Sequence, residues 1–215
     1  MTSREFRERL SRRARKADVI VPPDLLEPLE AYYRLLARWN ERINLTALPL
    51  RVPTDATFDK LLVEPITAAR FVPETPIDWF DLGSGGGSPA LPLKLVRPAA
   101  RLTMVEAKTR KAAFLRESIR ALALSGAGVM DVRFESLAER PDIARSVDVV
   151  TTRAVKADSA LMGAAAKLLR PGGRLLLFAE PSAAETHSKR AFSCEQTAKL
   201  SARDSSYLSV FVRLS

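Results

Sequence analysis

Apolar residues recur at three- and four-residue spacing through Leu25, Leu29, Tyr32, Tyr33, Leu36 and Trp39. That period lines one side of an α-helix. Pro22 and Pro23 punctuate its start, Asp24 suits its first turn, and Pro28 falls early enough to be tolerated. Asn40 to Leu48 reads as a tight polar exit followed by an apolar patch. Phe58, Leu61, Leu62, Ile66 and Ala69 predict a further helix over about 55–71. Upstream, residues 3–16 are polar and basic, the pattern of an exposed helix or a loose arm.

After Pro76 short apolar runs replace the helical period. Ile77–Phe80, Arg101–Glu106, Gly128–Phe134, Val147–Thr151 and Arg174–Phe178 read as strands. Helices are predicted between them at Leu91–Val96, at Arg110–Leu124 and up to Leu168, and Pro171-Gly172-Gly173 reads as a turn. Strands alternating with helices imply a parallel sheet with right-handed crossovers. The run in the fifth strand is continuously apolar, as for a strand deep in such a sheet. Pro181–Ser205 is polar and weakly patterned, and Tyr207–Leu214 predicts a last strand. The expected organisation is a helical N-terminal extension, residues 1–72, on an α/β domain of residues 73–215.

An apolar fraction of 47% and a charged fraction of 27% are ordinary for a globular chain and exclude a disordered or fibrous one. No apolar run approaches the roughly 18 residues that span a bilayer, and the charged start lacks the core of a secretory signal. The single cysteine, Cys194, and the single histidine, His187, argue against a disulfide framework, a zinc site or a histidine-based triad, and suit a cytoplasmic protein. Cys194 lies in the weakly patterned tail and reads as inert. The net charge of +9 is uneven. Residues 1–16 hold seven basic and two acidic side chains, and residues 94–120 hold eight and two, whereas residues 52–93 hold two and six. Most single Lys and Arg residues are solvated helix faces, but the overall bias favours a polyanionic partner such as nucleic acid over a membrane.

The densest local signal is Asp81-Leu82-Gly83-Ser84-Gly85-Gly86-Gly87-Ser88, between a strand and a helix. A ligand site belongs at such a junction in an open parallel sheet. A dinucleotide frame, G-x-G-x-x-G, starting at Gly83 fails because its third position is Ser88. A P-loop is excluded, because no Gly-Lys-Ser/Thr closes the loop. Acid-x-G-x-G-x-G fits fully from Asp81 to Gly87, and here the chain resembles class I S-adenosylmethionine (SAM) methyltransferases. Asp81 suits the ammonium group of SAM, or alternatively organises the loop. Glu106, ending the second strand, suits the two hydroxyls of a ribose, or pairs with Lys108 or Arg110 at the surface.

Three further segments narrow the resemblance to the RsmG (GidB) family. Arg38-Trp39-Asn40-Glu41-Arg42-Ile43-Asn44-Leu45-Thr46 resembles its KWN-x-x-x-NLT, Lys108-Thr109-Arg110-Lys111-Ala112-Ala113-Phe114-Leu115 its G-K-R-x-x-F-L, and Thr152-Arg153-Ala154 its S-R-A. The loop, continued through Pro89-Ala90-Leu91-Pro92-Leu93, resembles the family's D-x-G-[ST]-G-x-G-x-P-G-[IL]-P-L. Order and spacing agree from about residue 30 to 178. The chain departs from the pattern at Ala90, at Ala179-Glu180, where the family has lysine-glycine, and at Leu61-Leu62-Val63-Glu64-Pro65-Ile66, where it has His-x-x-Asp-Ser.

The resemblance implies a Rossmann-like α/β fold, a mostly parallel seven-stranded sheet with helices on both faces. It implies SAM as cofactor and no metal. The implied partner is 16S ribosomal RNA or the small ribosomal subunit, with a monomeric enzyme methylating a guanine N7. Asp81, Gly83, Ser84, Gly85, Gly87, Ser88 and Glu106 would hold the cofactor, Leu137 and Ala138 would offer backbone groups to its adenine, and Arg153 would stand near cofactor and base. A plainer role for Arg153 is an ion pair with Asp148 or Asp158. Guanine N7 has a free lone pair and no proton to lose, so no general base is required. The Asn/Asp-Pro-Pro-Tyr motif of amino-group methylation is absent from Val150-Thr151-Thr152-Arg153-Ala154. Two alternatives remain on the residues alone: a SAM methyltransferase of another RNA or small molecule, and a nonenzymatic RNA-binding module on the same fold.

Overall fold

In a computed structural model, which describes residues 1–180, 191–200 and 206–215, the basic N-terminus is a docked helix and no loose arm. α1 (Ser3–Lys16) opens with a capping box, in which Thr2 and Glu5 each accept the other's backbone N–H. Phe6, Leu10 and Ala14, one turn apart, are buried on the side facing α2 (Pro23–Asn40) and α3 (Asp55–Phe58). Phe6 meets the rings of Tyr33 and Phe58 at centroid distances of 5.5 and 5.3 Å. Arg13 is buried on this side as well: its Nε donates to Asp59 at 2.8 Å and a terminal nitrogen donates to Asp55 at 2.9 Å. Arg4, Arg7 and Arg9 pair with Glu8, Glu30 and Asp55. Arg9 and Arg13 therefore pair with the acidic stretch that follows, whereas Arg4, Arg7, Arg12, Arg15 and Lys16 stay exposed to solvent.

The predicted helix over 55–71 is present, with an irregularity at its centre. α3 runs directly into a π-helical turn at Asp59–Val63, then into α4 (Glu64–Ala68) and a 3-10 turn at Ala69–Phe71. Pro65 supplies no N–H and would crowd the carbonyl four residues back, and the wider π turn relieves both problems.

Seven strands form one sheet in the order β3-β2-β1-β4-β5-β7-β6. They are β1 (Asp78–Leu82), β2 (Arg101–Val105), β3 (Ala127–Met130), β4 (Val147–Thr152), β5 (Leu169–Leu177), β6 (Phe192–Lys199) and β7 (Tyr207–Arg213). The first five are parallel, and β7 runs antiparallel to both β5 and β6. The mostly parallel seven-stranded expectation holds. α5 (Ala90–Val96), α6 (Thr109–Ala121) and α1 to α4 share one apolar core on one face of the sheet, around Trp79, Leu102 and Met104. α7 (Phe134–Leu137) and α8 (Ser159–Leu168) pack on the other face, around Leu82, Val150 and Leu175. No helix among the described residues is long and apolar enough to cross a membrane.

Three elements differ from the sequence reading. β3 ends at Met130, opposite Val105 where β2 ends, and Phe134 belongs to α7. The Pro171-Gly172-Gly173 turn is a bulge inside β5: Val147 faces Leu169 while Val149 faces Arg174, so three residues of one strand span six of the other. Gly172 takes φ +78°, and a Cβ on Gly173 would lie 2.9 Å from the Arg170 carbonyl oxygen. β6 was hidden in the weakly patterned tail because it is an edge strand with only Phe192 and Ala198 buried. Cys194 is exposed on it, and His187 lies outside the described residues.

Arg13 and Asp59 are each 6% exposed, so Arg13→Ala leaves a buried carboxylate without its partner. The expected loss is about 3 kcal/mol or more of unfolding free energy, read as a lower urea midpoint at unchanged slope.

Candidate functional site

Chain order reverses at β1, where β2 lies to one side and β4 to the other. The crevice beyond the carboxyl ends of such strands is where ligands bind in open α/β sheets. A cavity of about 480 Å³ occupies that place. Gly83 to Gly86 and Ser88 contribute from the loop after β1, Glu106 from the end of β2, Arg153 and Ala154 from the end of β4, and Phe178 from the end of β5. The N-terminal part closes the opposite wall through Leu36, Lys60, Leu61 and Glu64 on helices and Leu45 on the segment after α2.

The loop is pinned from several directions. The N–H groups of Gly83 and Ser84 both donate to the Val105 carbonyl, at 2.9 and 3.1 Å. The Gly85 N–H donates to Glu106 Oε2 at 2.9 Å, and the Lys108 N–H donates to Oε1 of the same carboxylate at 2.8 Å. Glu106 thus organises the loop through backbone amides and not through the Lys108 or Arg110 side chains. From α2, the Tyr32 hydroxyl donates to the Gly86 carbonyl at 2.7 Å. Burial holds that phenol protonated. Asn40 shapes the exit from α2, its Oδ1 accepting the Leu45 and Thr46 amides at 2.9 Å each. Gly83 and Gly87 are required sterically: φ is +73° and +82°, and a Cβ would lie 2.6 Å from Val155 Cγ2 and 2.4 Å from Leu91 Cδ1 respectively.

Arg153 is held on every side. One terminal nitrogen donates to Glu64 Oε2 at 2.5 Å, and the other donates to the Lys60 carbonyl and, at 3.4 Å, meets Ser88 Oγ. Its guanidinium carbon lies 4.3 Å from the centre of the Phe178 ring. The Lys60 carbonyl is available because of the π turn. Glu64 N–H bonds to Asp59, one residue further back than in an α-helix, and Pro65 has no N–H to give. The Ser88 hydroxyl donates to the same turn, at Leu61 O, at 3.1 Å. Burial lowers the pKa of Arg153, and the Glu64 carboxylate opposes that shift. The simpler ion-pair reading named the wrong acids: Asp148 pairs with Arg170, and Asp158 caps α8.

Of the residues singled out in the sequence, Gly83, Ser84, Gly85, Ser88, Glu106 and Arg153 meet at this cavity. Gly87 stands behind it, packed on Leu91. The Asp81 carboxylate does not line it: buried beneath the loop, it accepts the Thr151 hydroxyl, which itself accepts Trp79 Nε1–H at 2.9 Å. Leu137 and Ala138 are not brought there either. Their amides are used within α7, bonding to Arg133 O at 3.0 Å and Phe134 O at 2.9 Å, and Ala138 lines a separate depression with Arg140 and Arg213. Lys60, Glu64, Lys111 and Phe178 were missed. Glu64 sits in the segment that departs from the family pattern, so resemblance gave it no role.

The sequence model described as GidB, rRNA small subunit methyltransferase G, matches residues 25–207. The chain belongs to this family. It is 38% identical over 151 residues to Ribosomal RNA small subunit methyltransferase G of Xanthomonas axonopodis pv. citri (strain 306), covering 69% of this chain and 66% of that protein. It therefore spans about two thirds of the length of that relative. TrmN from Thermus thermophilus superposes with a TM-score of 0.56 at 18% identity, covering 70% of this chain and 49% of that one. Precorrin-6y C5,15-methyltransferase from Geobacter metallireducens GS-15 gives 0.51 at 15% identity, covering 71% and 88%. These likenesses establish the fold of this family member, the Rossmann-like α/β fold of class I methyltransferases.

Desolvation raises the Asp81 pKa from 3.8 to about 6, with the Thr151 hydrogen bond and Arg153 opposing it. The folded value lies above the unfolded one, so the folded state is favoured most below the unfolded pKa and loses that advantage as pH rises through about 6. Asp81→Asn removes this loss. Relative to the parent, its unfolding free energy should rise by about 2–3 kcal/mol between about pH 4 and about pH 7, measured by chemical denaturation.

Proposed function

We propose that this chain transfers a methyl group from SAM to N7 of a guanine in 16S ribosomal RNA, acting as a cytoplasmic monomer. The observation that carries this reading is the cavity at the β1–β4 switch point of a GidB family member, where the glycine loop, Glu106 and Arg153 converge. The residues fit the cofactor. Gly85 leaves open space toward the cavity, its would-be Cβ meeting nothing closer than 3.7 Å. Each Glu106 oxygen accepts one backbone amide and keeps a lone pair for a ribose hydroxyl.

When bound, SAM supplies a methyl made electrophilic by its sulfonium. The work of the chain is then positioning for an in-line displacement and placement of charge. The loop and Glu106 orient the nucleoside, and Arg153, fixed by Glu64, Lys60 and Phe178, offers a rigid cation near the reacting end. No side chain is needed to remove a proton from N7. Lys60 and Lys111 on the cavity wall suit the phosphates flanking the base. Arg38, Arg42 and Arg110 extend this basic surface around Trp39 in a depression of about 400 Å³. The helical part, residues 1–72, serves as the RNA-facing wall of a methyltransferase domain formed by residues 73–215.

The test supplies labelled SAM and small ribosomal subunits lacking native modifications, then maps the label. Label at one guanine N7 is expected, and label only on other RNA or on small molecules would replace the substrate. Arg153→Lys keeps a charge beside Glu64 but loses the forked geometry. Methyl transfer should fall by about tenfold or more with the fold retained by circular dichroism. Unchanged turnover removes Arg153 from the site.

A further inference from the structure

Glu64 has a side chain only 1% exposed, yet it belongs to the wall of the cavity. Its Oε2 holds Arg153, and its Oε1 has no hydrogen-bond partner. A buried carboxylate oxygen without a donor is uncompensated, and in a cavity wall it points to a donor carried by a ligand. Asp81 Oδ2 is the other such atom among the described residues, but Asp81 lies beneath the loop and outside the lining.

Glu64 and Arg153 set a carboxylate and a guanidinium side by side. An α-amino-acid zwitterion carries the complementary pair, an ammonium for the carboxylate and a carboxylate for the guanidinium. The other acid in the lining, Glu106, stands at the end of β2, with its carboxylate bonded to the Gly85 and Lys108 amides, where a ribose is expected. A ligand with a ribose at one end and an amino acid at the other therefore matches the two acids of this cavity in kind. We infer that Glu64 Oε1 accepts a hydrogen bond from the α-ammonium of the methionine end of SAM, with Arg153 facing its α-carboxylate, an assignment that rests on the cofactor reading above. Glu64 takes the part that the sequence pattern offered to Asp81. It reaches that part because the π turn and Pro65 aim the Lys60 and Glu64 acceptors at one guanidinium.

Titration calorimetry on the full chain tests this with three ligands: SAM, decarboxylated SAM, which keeps the amine but has no carboxylate, and methylthioadenosine, which has neither. Glu64→Gln should weaken both amine-bearing ligands by about tenfold or more, the scale of a hydrogen bond to a charged group. Methylthioadenosine should bind the variant as it binds the parent, which also shows that the site is folded. A loss with SAM alone assigns the effect to a displaced Arg153 and overturns the inference. An equal loss with all three makes Glu64 structural and overturns it too. Unchanged SAM affinity with slower methyl transfer moves Glu64 to the base. If the parent protein binds none of the three, the cofactor reading itself fails, a result separable from failure of the Glu64 assignment.

Discussion

At Lys60 a helix carbonyl is left without a helical donor, because Glu64 N–H bonds to Asp59 and Pro65 has no N–H. That carbonyl is open to a donor from elsewhere in the chain. It finds one in Arg153, from the far side of the cavity, and the Ser88 hydroxyl joins the same turn from the glycine loop. One local irregularity in backbone bonding thus ties the N-terminal helices to the ends of β1 and β4. The position of Arg153 and the closure of the cavity wall depend on it.

The turn is itself supported from behind. Arg13 on α1 bridges Asp55 and Asp59 at the start of the same helix, and Phe6, Tyr33 and Phe58 pack their rings together between these helices. The basic charges of this protein therefore divide by role. On α1, Arg7, Arg9 and Arg13 pair with Glu30, Asp55 and Asp59, whereas Lys60, Lys111, Arg38, Arg42 and Arg110 gather at or beside the cavity. A net charge alone does not separate the two groups, since each arginine is chemically the same and only its neighbours differ.

Much of the architecture was legible residue by residue. The period of Leu29, Tyr32, Tyr33 and Leu36 placed α2, and the apolar runs of β1, β2, β4 and β5 placed the centre of the sheet. Both signals come from burial against a flat or cylindrical surface, which imposes a fixed period. β6 escaped because an edge strand buries few side chains, and the β5 bulge escaped because Pro-Gly-Gly has the same local preferences in a turn as in a bulge. In the site, Gly83, Ser88, Glu106 and Arg153 were readable from motif and spacing. Glu64 and Lys60 were not, since what matters there is a hydrogen bond that the helix fails to make.

Family resemblance supplied Arg153, while the sequence by itself determined α2, the central strands, the glycine loop at a strand end and the acid that follows the next strand. These follow from short-range constraints: side-chain period, the φ angles open to glycine, and fixed spacing along a strand. Only the tertiary structure decided which carboxylate stands in the cavity. Asp81 and Glu64 are both acids close to the loop, but the pleat of β1 turns Asp81 under the sheet end toward Thr151, while the π turn carries Glu64 to Arg153 from a helix outside the sheet. That choice depends on contacts between residues 70 and 89 positions apart, which no local pattern records.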